Sequence, residues 1–365
     1  MPESQELSLF YDQLVKEIQL SQTACSTAER EFNSLTSLFD DEYDNVKMFP
    51  QGSYSLGTTI RPLNADRDDF DVDFVIAFVD DDIGPSDVKE NIGDVLSNSN
   101  RYKDKFSEKG RAWTVNYNNS HIDIVPAKIN SAEDLYITDK NDQGYFFIKS
   151  NPKAFKKWFQ NQGIIDKTVH EKITESIEPI HSYQRRTILQ KTVQILKYHR
   201  NKFFQTRPEK EKPISMLITT IAATLYNGES DLFQSVSNIS AAIPQFMESS
   251  KGLDGNYHIY NPIETSEEFT DKWIDHPERK EAFIKWGNAV YQDLVKASLC
   301  ESRIQFSQRL GDVLGQPVVS AYEHIGQTNQ SDQKLGNMSF DKESGFVIGS
   351  KEHTSIPQNN FFGEN

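Results

Sequence analysis

One stretch, residues 51–73, constrains the fold and the chemistry of this 365-residue chain more than any other. It begins with Gln51-Gly-Ser53 and ends with Asp71-Val-Asp73, and the apolar run Phe74-Val-Ile-Ala-Phe78 follows directly. A short run of β-branched and aromatic residues predicts a buried β-strand. Because side chains alternate between the two faces of a strand, Asp71 and Asp73 should point to one face. The opposite face then carries the apolar side chains of Val72, Phe74 and Ile76.

Two carboxylates on one strand face predict a cation site. Neighbouring carboxylates repel each other unless a positive charge lies between them, and oxygen ligands suit Mg²⁺. A magnesium ion held by one or two carboxylates usually keeps water and substrate phosphates as its other ligands. The preceding turn agrees with this, because Gly52 lets the backbone approach a ligand closely and backbone N–H groups at a turn that leads into a helix attract phosphate. Ser53 adds a hydroxyl donor.

A third carboxylate follows in the segment His121-Ile-Asp-Ile-Val125. Alternation along this predicted strand puts Asp123 on the face opposite its two isoleucines. If the strand lies beside residues 70–78, Asp123 joins Asp71 and Asp73. Three carboxylates around two divalent ions ~3.5–4 Å apart are an arrangement that activates a hydroxyl and stabilises a leaving pyrophosphate.

The combined motifs resemble those of a known family. Gln51-Gly-Ser53, Thr59-Ile-Arg-Pro62, Asp71-Val-Asp73 and Asp123, in this order, are similar to the motifs of the bacterial cGAS/DncV-like nucleotidyltransferases (CD-NTases), a group of the DNA polymerase β-like nucleotidyltransferase superfamily. The resemblance implies a synthase that joins nucleoside triphosphates into a cyclic di- or trinucleotide second messenger in anti-phage (CBASS) defence. Pyrophosphate is the other product of such a reaction.

The resemblance also implies catalytic residues and a cofactor. Asp71, Asp73 and Asp123 would be the catalytic carboxylates and would hold two Mg²⁺ ions, with Mn²⁺ as the alternative metal. Asp123 would bind the metal that faces the attacking ribose hydroxyl and help to take its proton. The expected substrate is ATP, with GTP and the other nucleoside triphosphates as alternatives.

A second set of residues is implied to bind the nucleotide. Gln51, Gly52 and Ser53 would hold the donor triphosphate. The family typically uses a lysine on one helix and a serine on the next to hold the terminal phosphates, and Lys197 and Ser215 stand at matching places. A solvated helix face is the alternative interpretation of Lys197, and a helix N-cap is that of Ser215.

The acidic stretch before the strand allows two other interpretations. Its carboxylates can form a solvated loop or a Ca²⁺ site, although no EF-hand spacing with its glycine and terminal glutamate is present. A solvated loop would not normally run straight into an apolar strand. A second Asp-x-Asp, Asp69-Phe-Asp71, offers another register, and we prefer Asp71 and Asp73 because they adjoin the apolar run. The acidic residues are Asp66, Asp68, Asp69, Asp71 and Asp73.

Composition separates the competing functions. The formal net charge of −15 argues against a broad nucleic-acid-binding surface and favours small substrates. One alternative is a transferase of the same superfamily that adds a nucleotide to a small molecule, a protein or an RNA end, and the acidic charge counts against long RNA. The other is a catalytically silent nucleotide sensor. The presence of all three carboxylates argues against this alternative.

Further features predict a cytoplasmic protein. The two cysteines, Cys25 and Cys300, show neither metal-binding spacing nor a disulfide framework. This pattern is typical of proteins in reduced compartments. The N-terminal residues lack a basic segment followed by an apolar stretch, so we expect no signal peptide. No run of about 20 apolar residues exists, so we expect no membrane span.

The predicted fold is α+β, with two lobes and a cleft between them. Residues 1–150 form a polymerase β-like catalytic lobe with a mixed sheet and helices, and its N-terminal helices pack across to the second lobe. Residues 151–315 form a helical-bundle lobe. Residues 316–365, rich in Gly, Asn, Gln and Ser, are expected to be an extended or disordered tail. The tail is either an ordinary flexible terminus or a segment whose apolar residues dock on the body or on a regulatory partner in defence. The final Gly-Glu-Asn365 departs from the Gly or Ala terminus that the family uses for conjugation.

Overall fold

A computed structural model describes residues 4–63, 70–118, 120–163, 186–300, 303–334, 338–341, 345–348 and 354–355. Its α-helices are α1 Ser4–Ile18, α2 Gln22–Glu42, α3 Gly52–Ser55, α4 Pro85–Asn98, α5 Pro152–Gln162, α6 Ile188–Phe203, α7 Ser215–Leu225, α8 Leu232–Ser249, α9 Pro277–Tyr291, α10 Arg303–Leu314 and α11 Gln316–Lys334. Its strands are β1 Val46–Gln51, β2 Phe70–Val79, β3 Phe106–Glu108, β4 Trp113–Asn116, β5 Ser120–Ile129, β6 Leu135–Asn141, β7 Gly144–Ser150, β8 Met338–Asp341, β9 Gly345–Ile348 and β10 Thr354–Ser355. The predicted acidic loop residues Asp66, Asp68 and Asp69 lie outside the described residues.

A mixed sheet forms the first half of the molecule. Within the described residues it has seven strands, in the order β1-β2-β5-β4-β3, and β6 and β7 continue it from the second half of β5. The pair β2–β5 is parallel, and the other pairs are antiparallel. In the sequence, the strand-like segments 111–117 and 121–125 flank one turn and the segments 135–138 and 145–148 flank another, which predicts two hairpins. The antiparallel pairs β4–β5 and β6–β7 confirm both.

One face of this sheet packs on two helices, as the alternation in β2 predicts. Val72, Phe74 and Ile76 share a buried core with apolar residues of α2 and α4. The side chain of Ser21 begins α2 by accepting a hydrogen bond from Ala24 N at 3.1 Å, and Pro85 occupies the first turn of α4. The opposite face carries Asp71 and Asp73 near the start of β2 and the buried apolar residues Val75 and Ala77 farther along the strand.

The helices of the second half surround α7. This helix is apolar nearly all round, so the sequence predicts a buried central helix, and its residues from Leu217 to Ala223 are buried. A capping box formed by Thr187 and Gln190 begins α6. The sheet followed by a helical body confirms the predicted α+β class. Among the helices that the structure describes, none is both long and apolar enough to cross a membrane.

The expectation that both N-terminal helices pack across to the helical body is wrong for α2. Apolar residues of α1, such as Tyr11 and Leu14, lie in the helical core. Those of α2, such as Phe32 and Leu35, lie in the sheet core instead. The physical reason is that the apolar stripe of α2 covers the apolar face of β2.

The expectation of an extended or disordered tail from residue 316 is wrong for its first part, because Gln316–Lys334 is helix α11. Val318 and Ala321 are buried in the helical core, and Tyr322 and Ile325 pack against it. These four residues have the spacing of one helix face, which stabilises a helix by packing although the composition is polar. Farther on, β8 pairs with both β9 and β10.

Candidate active site

The three predicted carboxylates lie on two adjacent strands. Because β2 and β5 are parallel and paired in register, Asp73 lies directly beside Asp123, and Asp71 lies beside His121. Their neighbours Val72, Ile122 and Ile124 point into the sheet core on the opposite face. The structure thus confirms the pairing on which the sequence argument depended.

Asp73 lies among several charged side chains, two of them carboxylates that repel its own negative charge. Burial and, to a smaller extent, the nearby carboxylates of Asp123 and Asp71 raise the pKa of Asp73, while the ammonium groups of Lys197 and Lys109 oppose the shift, and the resulting pKa is about 7. A carboxylate surrounded by other carboxylates in this way binds a cation favourably, because the cation offsets their mutual repulsion. In the part of the chain that the structure describes, no three His, Cys, Asp or Glu side chains lie close enough together to hold a metal ion as they are placed.

Asp123 has other partners in this arrangement. Lys109 Nζ lies 3.1 Å from Asp123 Oδ2, and the hydroxyl of Thr114 donates a hydrogen bond to Asp123 Oδ1 at 2.5 Å. Thr114 faces Asp123 across the β4–β5 pair, whereas the Lys109 side chain is 56% exposed. Both residues were missed from the sequence. The predicted β4–β5 hairpin would have revealed Thr114 as the residue opposite Asp123, but no pattern pointed to Lys109.

A buried lysine holds the backbone that carries Lys109. The ammonium group of Lys89, in α4, donates hydrogen bonds to the carbonyl oxygens of Lys109 at 2.6 Å, Gly110 at 3.0 Å and Ala112 at 3.1 Å. The side chain of Lys89 is fully buried, and its Nζ lies 5.5 Å from the centroid of the Trp113 ring. These bonds replace the hydration that a buried ammonium loses, so they fix the loop beside Asp123.

The predicted Gly-Ser turn approaches the carboxylates closely. Gln51 ends β1 opposite Asp73, and Gly52 and Ser53 begin the short helix α3. Gly52 has φ +63°, and a Cβ atom added there would lie 3.1 Å from Asp73 Cγ and overlap Asp73 Oδ2. The position therefore requires glycine for two reasons, its left-handed backbone and its contact with the carboxylate.

Lys197 lies behind this turn. Its side chain is only 3% exposed, and its ammonium group donates a hydrogen bond to the carbonyl oxygen of Thr58 at 2.9 Å. Burial and the neighbouring charge of Arg200 lower the pKa of Lys197, whereas Asp73 and Asp71 oppose the shift, and the resulting pKa is about 7. The solvated-face alternative for Lys197 is therefore wrong, because α6 packs this side chain against the loop.

Ser215 is the first residue of α7. Its hydroxyl accepts a hydrogen bond from Nη1 of the buried Arg200 at 3.2 Å, and the same nitrogen donates to the carbonyl oxygen of Pro213 at 2.7 Å. The N-cap of α7 is Ile214, so the N-cap alternative for Ser215 is wrong. Arg200 thus ties the start of α7 to the end of α6.

Comparisons with known proteins agree with this arrangement. Residues 6–162 match the Second Messenger Oligonucleotide or Dinucleotide Synthetase domain. Over 95% of its length the chain is 27% identical to a c-di-GMP synthase of Roseivirga ehrenbergii, covering 94% of that protein. Residues 6–162 are thus a second-messenger synthetase domain, and the chain is a nucleotidyltransferase.

Two solved structures share the fold of this nucleotidyltransferase. One is the Bradyrhizobium diazoefficiens CD-NTase CdnG in complex with GTP, with a TM-score of 0.70 and 18% identity, covering 88% of this chain and 99% of CdnG. The other is the Escherichia coli CdnC:HORMA-deltaN complex, with a TM-score of 0.56 and 16% identity, covering 84% of this chain and 97% of the matched chain. At these identities the two matches show the shared fold alone.

Proposed function

We propose that this nucleotidyltransferase joins two purine nucleoside triphosphates, with GTP as at least one of them, into a cyclic dinucleotide. The similarity to the Roseivirga c-di-GMP synthase over nearly the whole chain supports a cyclic dinucleotide product. The CdnG complex with GTP, which has the same fold, supports a guanine nucleotide as substrate. ATP is the second candidate substrate.

The observation that carries the proposal is the in-register pairing of Asp73 with Asp123 beneath Gly52. Asp71, Asp73 and Asp123 would be the catalytic carboxylates. In this role Asp123 accepts the proton of the attacking ribose hydroxyl, and Thr114 fixes the orientation of its carboxylate. The hydroxyl oxygen then forms a bond to the α-phosphorus as the bond to pyrophosphate breaks.

The donor set fits a hard divalent cation. All three groups are carboxylates, which suit Mg²⁺ or Mn²⁺, and Asp73 and Asp123 on adjacent strands can converge by rotation of their side chains. We propose that Asp71, Asp73 and Asp123 hold two Mg²⁺ ions. When bound, these ions would supply positive charge that offsets the triphosphate and favours ionisation of the attacking hydroxyl.

The triphosphate needs groups that hold it in place. Gln51, Gly52 and Ser53 would hold the donor phosphates, because the backbone at Gly52 lies close to Asp73. Lys197 would supply positive charge from behind the turn, and Ser215 would contact the terminal phosphates. Such charges, fixed before the substrate arrives, stabilise the transition state more than mobile ones.

We propose a role in anti-phage defence, which the resemblance to the CD-NTases supports. The CdnC structure was solved as a complex with HORMA-deltaN, which supports a protein partner for a relative of this fold. We propose that a regulatory partner of this kind also acts on this enzyme, through the segment after residue 315. A pull-down from the native host with and without residues 335–365 would detect it, and equal recovery of partners by both forms would contradict it.

The proposed function is tested by product analysis. The purified protein is incubated with ATP, GTP, CTP and UTP and with Mg²⁺ or Mn²⁺, treated with phosphatase, and analysed by mass spectrometry. We expect a phosphatase-resistant cyclic dinucleotide that contains guanine and is absent from an Asp71→Asn/Asp73→Asn control. A linear or protein-attached nucleotide would instead indicate a transferase, and nucleotide binding without any product would indicate a silent sensor.

Lys109 gives a prediction about metal affinity. Replacement by glutamine removes the cation that lies beside Asp123, so Mn²⁺ should bind more tightly, by up to about fivefold, because a partly exposed ion pair contributes little. Titration calorimetry with Mn²⁺ measures this change. Lys140→Gln, which breaks the exposed ion pair with Glu108, is the matched control and should leave the affinity unchanged. Weaker Mn²⁺ binding in Lys109→Gln would contradict the prediction.

A further inference from the structure

The loop that follows the Gly-Ser turn is fastened to the helical body by three side chains of α6. Gln190 donates a hydrogen bond to the carbonyl oxygen of Leu56 at 2.9 Å, and Gln194 donates one to that of Thr59 at 2.7 Å. With Lys197 and Thr58, these pairs satisfy three of the four carbonyl oxygens of residues 56–59. Spacings of four and three residues put all three donors on one face of the helix.

The backbone conformation and the packing of the loop leave room for these donor side chains. Gly57 has φ +68°, and a Cβ atom added there would lie 2.6 Å from Gln190 Nε2. The side chain of Leu56 is buried in the helical core, and Ile60 packs against the same core. Residues 56–60 therefore belong to the helical body by packing, although the strands before and after them belong to the sheet.

The same loop is joined to the turn that begins at Gly52. Thr58 N donates a hydrogen bond to the carbonyl oxygen of Ser53 at 2.9 Å, and Leu56 N donates one to that of Gly52 at 3.1 Å. The hydroxyl of Thr59 lies 3.4 Å from Ser53 Oγ. A displacement of the loop is therefore transmitted to Gly52, which approaches Asp73, and to Ser53.

Gln194 stands out among the three donors. Its side chain is fully buried, and its Oε1 has no hydrogen-bond partner among the residues that the structure describes. A buried amide with an unpaired oxygen is unfavourable, and an apolar side chain of similar volume would pack at this place without that cost. An apolar residue would, however, lose the hydrogen bond that Gln194 Nε2 donates to the carbonyl oxygen of Thr59.

We propose that Gln190 and Gln194 are positioning residues for the donor nucleotide. They fix the loop of residues 56–59 on α6, and the loop fixes Gly52 and Ser53 at the distance from Asp73 at which a triphosphate binds. The helical body thereby sets the geometry of a turn that belongs to the sheet. This inference rests on the proposed role of the turn in binding the donor triphosphate.

The test uses Gln194→Met, which keeps the volume and removes the donor, and Gln190→Met as a second variant at a less buried position. Thr192→Val is the matched control. Thr192 is buried on the same helix and donates to Ile188 and Ser235, which are not part of the loop. Four quantities are measured on the full chain: amide hydrogen exchange of residues 56–60 without ligand, the affinity for a nonhydrolysable GTP analogue with Mg²⁺, kcat, and KM.

We expect faster exchange of residues 56–60 in both methionine variants and at least about tenfold weaker binding of the analogue, seen as a higher KM, because small displacements of a binding group have large effects. Thr192→Val should change neither the hydrogen exchange of residues 56–60 nor the affinity for the analogue, even if its Tm falls as much as that of Gln194→Met.

Unchanged exchange in both methionine variants would overturn the inference. Faster exchange with unchanged analogue affinity would also overturn it, because the loop would then not position the turn. If the wild-type protein itself binds no triphosphate, the proposed function fails and the inference fails with it, while the exchange data still report whether the three bonds hold the loop.

Discussion

Replacement of Asp73 by asparagine should lower cyclic product formation by at least about a hundredfold, because the variant loses one of the charges on which both metal binding and transition-state stabilisation depend. Asparagine keeps the volume of the side chain, so the β2–β5 register should persist. Initial rates with GTP and ATP, measured by separation of labelled products, provide the test. Asp82→Asn, at an exposed loop residue beyond the other end of β2, is the control and should retain full activity.

The same change should make the metal-free protein more stable at alkaline pH. The pKa of Asp73 lies at about 7, above its ordinary value of 3.8, because burial and two neighbouring carboxylates disfavour the charged form. The stabilising contribution of the protonated form is thus present at low pH and is lost as the pH rises through 7. The gain in Tm of Asp73→Asn should grow from about pH 4 to about pH 7 and level off above it. A lower Tm of the variant at pH 8 would contradict the electrostatic argument.

Replacement of Gly52 by alanine should lower kcat/KM by about a hundredfold. The added methyl group overlaps Asp73 Oδ2, so either the turn or the carboxylate must move, and displacements of about 1 Å near a reacting centre have effects of this size. The left-handed backbone at this position, φ +63°, adds a loss of stability of roughly 1–2 kcal/mol.

Gly255→Ala separates these two effects. Gly255 also has a positive φ, +81°, but a Cβ atom added there would meet nothing within 4 Å. The control should therefore lose stability to a similar extent, measured by thermal unfolding, and keep its activity. Equal losses of activity in both variants would show that backbone strain, and not the contact with Asp73, accounts for the effect of Gly52→Ala.

The two changes probe different properties of one site. Asp73→Asn removes charge and keeps the shape, whereas Gly52→Ala keeps every charge and changes the distance between the turn and the carboxylate. If both expected results are obtained, the site requires charge and position together, as nucleotidyl transfer does. Weak binding of Mn²⁺ should accompany the first change and not the second.

Much of this architecture could be predicted from local sequence patterns. The alternation in residues 70–78 and 121–125 indicated two strands with their carboxylates on one face, and the β2–β5 pairing confirms that these faces coincide. The apolar surface of α7 indicated a buried helix, which the structure also confirms. The catalytic roles of the carboxylates stay predictions. The helix α11 was missed because its apolar stripe is short and its composition is that of a loop.

The sequence by itself determined the elements, their buried faces and the chemical type of the site, because these depend on periodicities of two and 3.6 residues within short segments. Only the tertiary structure decided which distant groups meet. Lys109 contacts Asp123 through a loop held by Lys89, and α6 holds the loop at residues 56–59 from more than 130 positions away. No local pattern specifies such contacts, because they depend on how α4 and α6 pack against loops that are distant from them in the sequence.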